Sequence, residues 1–85
     1  MPLPTVQATI ASFVFLPDPI VVQVGQSIRW TNLDFAEHTV TEDNHLFTSA
    51  VLNYGDTYTL TLLQPGTYNY FCEPHPQMTA TIIVQ

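Results

Sequence analysis

Apolar and polar residues alternate with a period of two along most of this chain, and no stretch carries a helical period. The clearest run is Thr57 to Leu63, where Tyr58, Leu60 and Leu62 point one way and three threonines the other. Thr67 to Cys72 repeats the pattern, with Tyr68, Tyr70 and Cys72 on one face. Ser27 to Asn32 puts Ile28 and Trp30 opposite Arg29 and Thr31. Thr5 to Phe15 is expected as one extended segment with Val6, Ala8 and Ile10 on a face, and with a bulge or register shift at Ser12. Ile20 to Val24, a short run from His38 to Thr41, and Thr79 to Val84 complete the strands. Turn signals separate them: Pro17-Asp18-Pro19, a hairpin turn at Gly25-Gln26, Asn53-Tyr54-Gly55-Asp56 and Gln64-Pro65-Gly66. Leu33 to Glu37 reads as a loop, and Glu42 to Ser49 as a polar, irregular segment. Seven or eight short strands at this spacing predict an all-β sandwich and exclude a helical bundle or a parallel α/β fold.

Composition narrows the function classes. The 85 residues predict a single domain over 1–85, and 46% hydrophobic residues suffice for one core. The net charge is −6, and Arg29 is the sole Lys or Arg. Nucleic-acid binding needs clustered cations that are not here, and an anionic membrane surface would repel the chain. A basic protein partner is what such a charge attracts. No apolar run reaches the roughly 20 residues of a membrane helix, and Met1-Pro2-Leu3-Pro4 lacks the features of a signal peptide. Cys72 is the only cysteine, so no internal disulfide is expected.

The candidate chemistry lies in Cys72-Glu73-Pro74-His75-Pro76-Gln77-Met78. Seven residues there offer a sulfur, an imidazole and a thioether. His38, behind Trp30-Thr31-Asn32, offers a second imidazole. Taken singly, each has a plainer explanation: a lone cysteine packs, a lone methionine fills space, and a strand histidine is satisfied in place. Together they make the donor set of a type 1 copper site, in which two imidazoles and a thiolate bind in a plane and a weak axial Met completes the set. Imidazole suits both copper states and soft sulfur favours Cu(I), so one compromise geometry serves both. Pro74 and Pro76 stiffen the loop and remove two N–H groups. His45 has no motif around it and is read as a solvated histidine, while Trp30, Tyr68 and Tyr70 are read as core.

The chain resembles a cupredoxin of the plastocyanin and amicyanin group over nearly its whole length. The resemblance rests on Phe13-Val14-Phe15 with Pro17, on Val24-Gly25-Gln26-Ser27-Ile28-Arg29-Trp30-Thr31-Asn32, and on His38-Thr39-Val40. It continues through Pro65-Gly66-Thr67-Tyr68-Asn69-Tyr70-Phe71-Cys72 into the ligand loop, whose Cys-x-x-His-x-x-Met spacing is the short, amicyanin-type form. The resemblance implies a Greek-key β-sandwich, with His38, Cys72, His75 and Met78 holding one copper ion. It also implies one-electron transfer through a partly exposed His75 to a cytochrome or dehydrogenase. By the same resemblance the protein would be monomeric and extracytoplasmic, in a periplasm or thylakoid lumen. Four protein donors leave no open position for a substrate, so no enzyme is expected. A copper carrier or store could use the same ligands, and a Cys-His thiol enzyme is a weaker third reading.

Some residues depart from the family pattern. Thr39 stands where Asn often ties the two ligand segments together, and a hydroxyl could still bond across. Glu37 stands where Pro is frequent, and it is expected to bring a carboxylate close to the metal and lower its potential. Phe71 replaces the Tyr that precedes the ligand Cys in plastocyanins, and Gln77 makes the loop less apolar. Glu42 and Asp43 read as a solvated turn, with an acidic docking patch as the other reading. An apolar surface of Pro74, Pro76 and Phe35 is expected around His75.

Overall fold

In the computed structural model, which describes residues 3–85, the period-two segments form eight strands. They are β1 (Val6–Ala11), β2 (Val14–Leu16), β3 (Ile20–Val22), β4 (Ser27–Asn32), β5 (Thr41–Glu42), β6 (Thr57–Thr61), β7 (Gly66–Phe71) and β8 (Thr79–Val84). Met1 and Pro2, at the start of the segment searched for a signal peptide, lie outside the described residues. Two four-stranded sheets result, ordered β2-β1-β4-β6 and β3-β8-β7-β5. Within them β1 runs parallel to β4 and β3 parallel to β8; the other pairs are antiparallel.

The inward positions are those the alternation marks. Ala8, Ile10, Ile28 and Trp30 come from the first sheet, and Tyr70, Ala80, Ile82 and Val84 from the second; all are buried. Each large apolar side chain so removed from water contributes about 1.5–3 kcal/mol. Trp30 lies at the centre, where its Nε1–H donates to the Tyr70 hydroxyl at 3.2 Å. The Tyr70 ring meets Phe15 and Trp30 edge-on, at centroid distances of 4.8 and 5.5 Å. Burial raises the pKa of the Tyr70 hydroxyl far above that of a free phenol.

Three expectations about strands are corrected. Thr5 to Phe15 is not one bulged strand but a hairpin, with Ala11 paired to Val14. Ser12 and Phe13 form its two-residue turn with φ of 52° and 60°, the backbone of a type I′ turn. Neither residue favours that region, where each non-glycine residue costs about 1–2 kcal/mol. The Asp34 carboxylate compensates by accepting both turn amides, from Ser12 at 2.7 Å and Phe13 at 2.9 Å.

The tight turn is centred on Val24-Gly25, one residue earlier than expected, with Gln26 N–H donating to the Gln23 carbonyl at 3.0 Å, so β3 ends at Val22 rather than Val24. It does not close a hairpin, because β3 pairs with β8 and β4 with β1 and β6, in opposite sheets. The local turn chemistry is the same in either case; partners distant in sequence decide the pairing. His38 to Thr41 is likewise not a continuous strand. His38 forms an isolated bridge with Leu52, and the strand proper is Thr41–Glu42.

Candidate metal centre

His38 reaches the site from the connection between β4 and β5, and its backbone is fixed before its ring is considered. Its N–H donates to the Leu52 carbonyl at 3.1 Å, and Leu52 N–H returns the bond at 2.8 Å. The loop leading to it is organised by Asn32, a fully buried amide at the end of β4. Asn32 Nδ2 donates to the carbonyls of Ala36 (3.0 Å) and Leu52 (2.8 Å), and its Oδ1 accepts from Asp34 N–H at 2.8 Å. The other candidate donors lie in the loop from β7 to β8. That loop closes on itself: His75 N–H donates to Cys72 O, Met78 N–H to His75 O, and Cys72 N–H to Met78 O, at 2.9–3.1 Å.

Folding brings these two segments together. His38 Nδ1 lies 3.4 Å from Cys72 Sγ, and His75 Nδ1 lies 3.6 Å from the same sulfur. One donor atom from each of the three residues lies within 4.8 Å of the other two. Metal bonds of about 2.0 Å to imidazole and 2.3 Å to thiolate, opened to about 110–120°, separate donors by about 3.5–3.7 Å. The spacing therefore suits a shared ion. His38 and Cys72 are fully buried, Met78 is buried with its carbonyl on the Cys72 N–H, and His75 is half-exposed.

The surroundings explain how the rings are held. His38 Nε2 lies 2.9 Å from Asp34 Oδ2. Asp34 already accepts two amide hydrogens, so its carboxylate takes the Nε2–H and leaves the Nδ1 lone pair facing the sulfur. Burial pushes the Asp34 pKa up, but the Phe13 and Ser12 amides and the His38 ring outweigh it and hold it below the usual carboxylate value. The Phe13 ring stands edge-on to both imidazoles, at 5.1 Å from His38 and 4.8 Å from His75. The Cys72 sulfur accepts one backbone hydrogen bond, from Thr39 N–H at 3.5 Å.

Thr39 does bond across: its Oγ1 accepts the Glu73 N–H at 2.9 Å, joining the two segments one residue from His38 and one from Cys72. Glu73 Oε1 accepts from the hydroxyls of Thr41 and Thr48 at 3.2 and 3.4 Å. Glu37, expected near the metal, is exposed, and the carboxylate that reaches an imidazole belongs to Asp34. Sequence reasoning missed Asp34; its one local signal is a carboxylate four residues before a histidine. His45 is 61% exposed in its side chain and stands apart from the three-donor cluster, as expected of a solvated histidine. Glu42 is not solvated: it is buried, and its Oε1 accepts the Asn44 and Leu46 amides at 2.8 and 3.0 Å. Phe35 is 91% exposed and stacks on Tyr54 at 4.9 Å.

Comparison with known proteins points the same way. Residues 3–84 match the model of the cupredoxin-like domain. Amicyanin of Paracoccus versutus is 26% identical over 90 residues, an alignment spanning all of this chain and 68% of that protein. Plastocyanin of Scenedesmus fuscus is 31% identical over 87 residues, spanning 87% of this chain and 89% of the relative. The chloroplastic plastocyanin of Tetradesmus obliquus is 32% identical, but only 60% of its length is covered. A solved amicyanin variant in its Cu(I) form superposes with a TM-score of 0.90 at 26% identity, over all of this chain and 86% of that one. An oxidised amicyanin variant gives 0.89 at 25% identity, over 94% and 81%.

Proposed function

The chain belongs to the cupredoxin-like domain family, and from that premise we propose that it is a type 1 copper electron-transfer protein. His38, Cys72, His75 and Met78 would hold the copper ion. The observation that carries this reading is the pair of Nδ1–Sγ separations, 3.4 and 3.6 Å, in a largely buried three-donor cluster. When bound, copper supplies the one-electron Cu(II)/Cu(I) couple.

The protein's part is to keep the donors still. Asp34 orients His38, the Thr39 hydroxyl joins the two segments, and loop hydrogen bonds fix His75 relative to Cys72. Little then has to rearrange between oxidation states. His75 is the half-exposed member, so electrons leave and enter by its edge. Pro74 and Pro76, its exposed neighbours in sequence, and Phe13, whose half-exposed ring lies 4.8 Å from its own, form an apolar rim, to which Phe35 would add. A transient redox partner, a cytochrome or dehydrogenase with basic surface, would dock there. The reading carries with it a monomer of one domain, no catalysis of its own, and a periplasmic or thylakoid-lumen location by family likeness.

Titration with Cu(II), followed in the visible, tests it. The expected result is an intense blue thiolate-to-copper band that saturates at one equivalent and is lost in Cys72→Ser. A pale band, or none, would overturn the electron-transfer reading in favour of a copper carrier or a domain that has lost its metal.

A further inference from the structure

The Asp34 carboxylate does three things at once. Its Oδ1 accepts the Ser12 amide and its Oδ2 accepts both the Phe13 amide, at 2.9 Å, and the His38 ring, at 2.9 Å. It is held in turn by the Asx-type bond from its own N–H to Asn32 Oδ1. Ser12 and Phe13 lie 22 and 21 residues before it and adopt a backbone that neither prefers. The Phe13 ring set by that turn stands over both imidazoles. A continuous path thus runs from β4 through Asn32 and Asp34 to a candidate ligand on one side and to the ring that covers the ligands on the other.

We propose that Asp34 is the positioning residue of this centre. One carboxylate fixes the tautomer and orientation of His38 and, by holding the β1–β2 turn, seats Phe13 over the two imidazoles. The proposal rests on the copper reading above for its effect on potential, but not for its effect on the ring and the turn. A carboxylate accepting the far N–H of a ligand imidazole makes the near nitrogen a stronger donor and favours the more highly charged metal state. Asp34 therefore stabilises Cu(II) over Cu(I), the part that sequence reading gave to Glu37. The neutral Asn of the same shape has one acceptor oxygen where the carboxylate has two, so it loses the charge and cannot serve the Ser12 amide on one side and the Phe13 amide and Nε2–H on the other.

The test compares Asp34→Asn, Asp34→Glu and Glu37→Gln, both copper-free and loaded. In copper-free wild type, the ring ¹⁵N shifts of His38 should report a single Nε2–H tautomer. In Asp34→Asn they should shift toward a mixture, and amide exchange at Ser12 and Phe13 should quicken at least tenfold. In the loaded proteins, Asp34→Asn should keep the blue band while its Cu(II)-to-Cu(I) affinity ratio falls tenfold or more, about 59 mV higher in a one-electron potential. Glu37→Gln should move neither readout, and Asp34→Glu should restore the Nε2–H tautomer in part. Unchanged His38 shifts in Asp34→Asn overturn the proposal, and so does an unchanged potential with the blue band intact. Faster exchange at Ser12 and Phe13 alone also overturns it, since Asp34 would then be only a turn cap. If Asp34→Asn does not fold, the wild-type ring decides: a single Nε2–H tautomer of His38 in the copper-free protein supports the proposal, and an Nδ1–H or mixed tautomer overturns it. If wild type gives no blue band, the copper reading falls while the copper-free measurements still decide the role of Asp34.

Discussion

Tyr70 and Tyr58 are the side chains for which burial has the plainest chemical consequence. Removing a phenol from water disfavours its anion, and both groups have pKa values raised above 10.0 by desolvation. In the unfolded chain they would lose their protons near that value. Above it the unfolded state therefore binds fewer protons than the folded one, and stability falls as pH rises. Below it the contribution is fully present. Urea midpoints measured from about pH 9 to about pH 11 should decline steadily. In Tyr58→Phe/Tyr70→Phe the decline should be shallower, although that variant starts lower, because the Trp30 Nε1–H loses its acceptor. An equally steep decline would mean that other groups set the alkaline limit.

At the scale of elements, the weight falls on the link between the His38 segment and the ligand loop. Thr39 is buried, and its hydroxyl takes the Glu73 amide while also bonding Thr41 at 3.0 Å. Thr39→Val keeps the volume but strands the amide, so a loss of about 1–3 kcal/mol in chemical unfolding is expected. Thr39→Asn, the family's commoner residue, should recover part of it. An unchanged midpoint in Thr39→Val would show that this bond adds nothing to the fold. The same scale shows what could be read in advance. The spacing of candidate donors within the loop is set by chain geometry, so Cys72, His75 and Met78 were legible as a group, and period-two alternation marked Ile28, Trp30, Tyr70 and Leu62 as inward. Asp34 was not legible, because its partners Ser12 and Phe13 lie far back and advertise no need for a carboxylate. The fate of β3 was hidden for a similar reason: a tight glycine turn looks the same whether its strands pair or part.

Over the whole molecule the charge of −6 has a double origin. Asp18, Asp34, Glu42 and Asp56 each accept backbone amides, of Thr81, of Ser12 and Phe13, of Asn44 and Leu46, and of Asn53. Four of the seven carboxylates thus serve the fold locally, yet their charge still acts at long range. Electron exchange with a basic redox protein should slow as ionic strength rises from about 0.01 M to 0.15 M, where the screening length shrinks from about 30 to 8 Å. Stopped-flow rates would show it. A rate indifferent to salt would place recognition in the apolar rim near His75 alone.

The pairing of β8 between β3 and β7 has a consequence for the order in which the protein comes into being. β8, one of the two inner strands of the second sheet, follows the other seven strands in sequence. A polypeptide emerging from its N-terminus exposes all four candidate donors before it exposes Thr79 to Val84, which anchor the far end of their loop. Until then β3 has no neighbour on that side, and His38 faces an untethered partner segment. The centre is thus complete only once β8 has docked between β3 and β7, because until then the far end of the donor loop is untied.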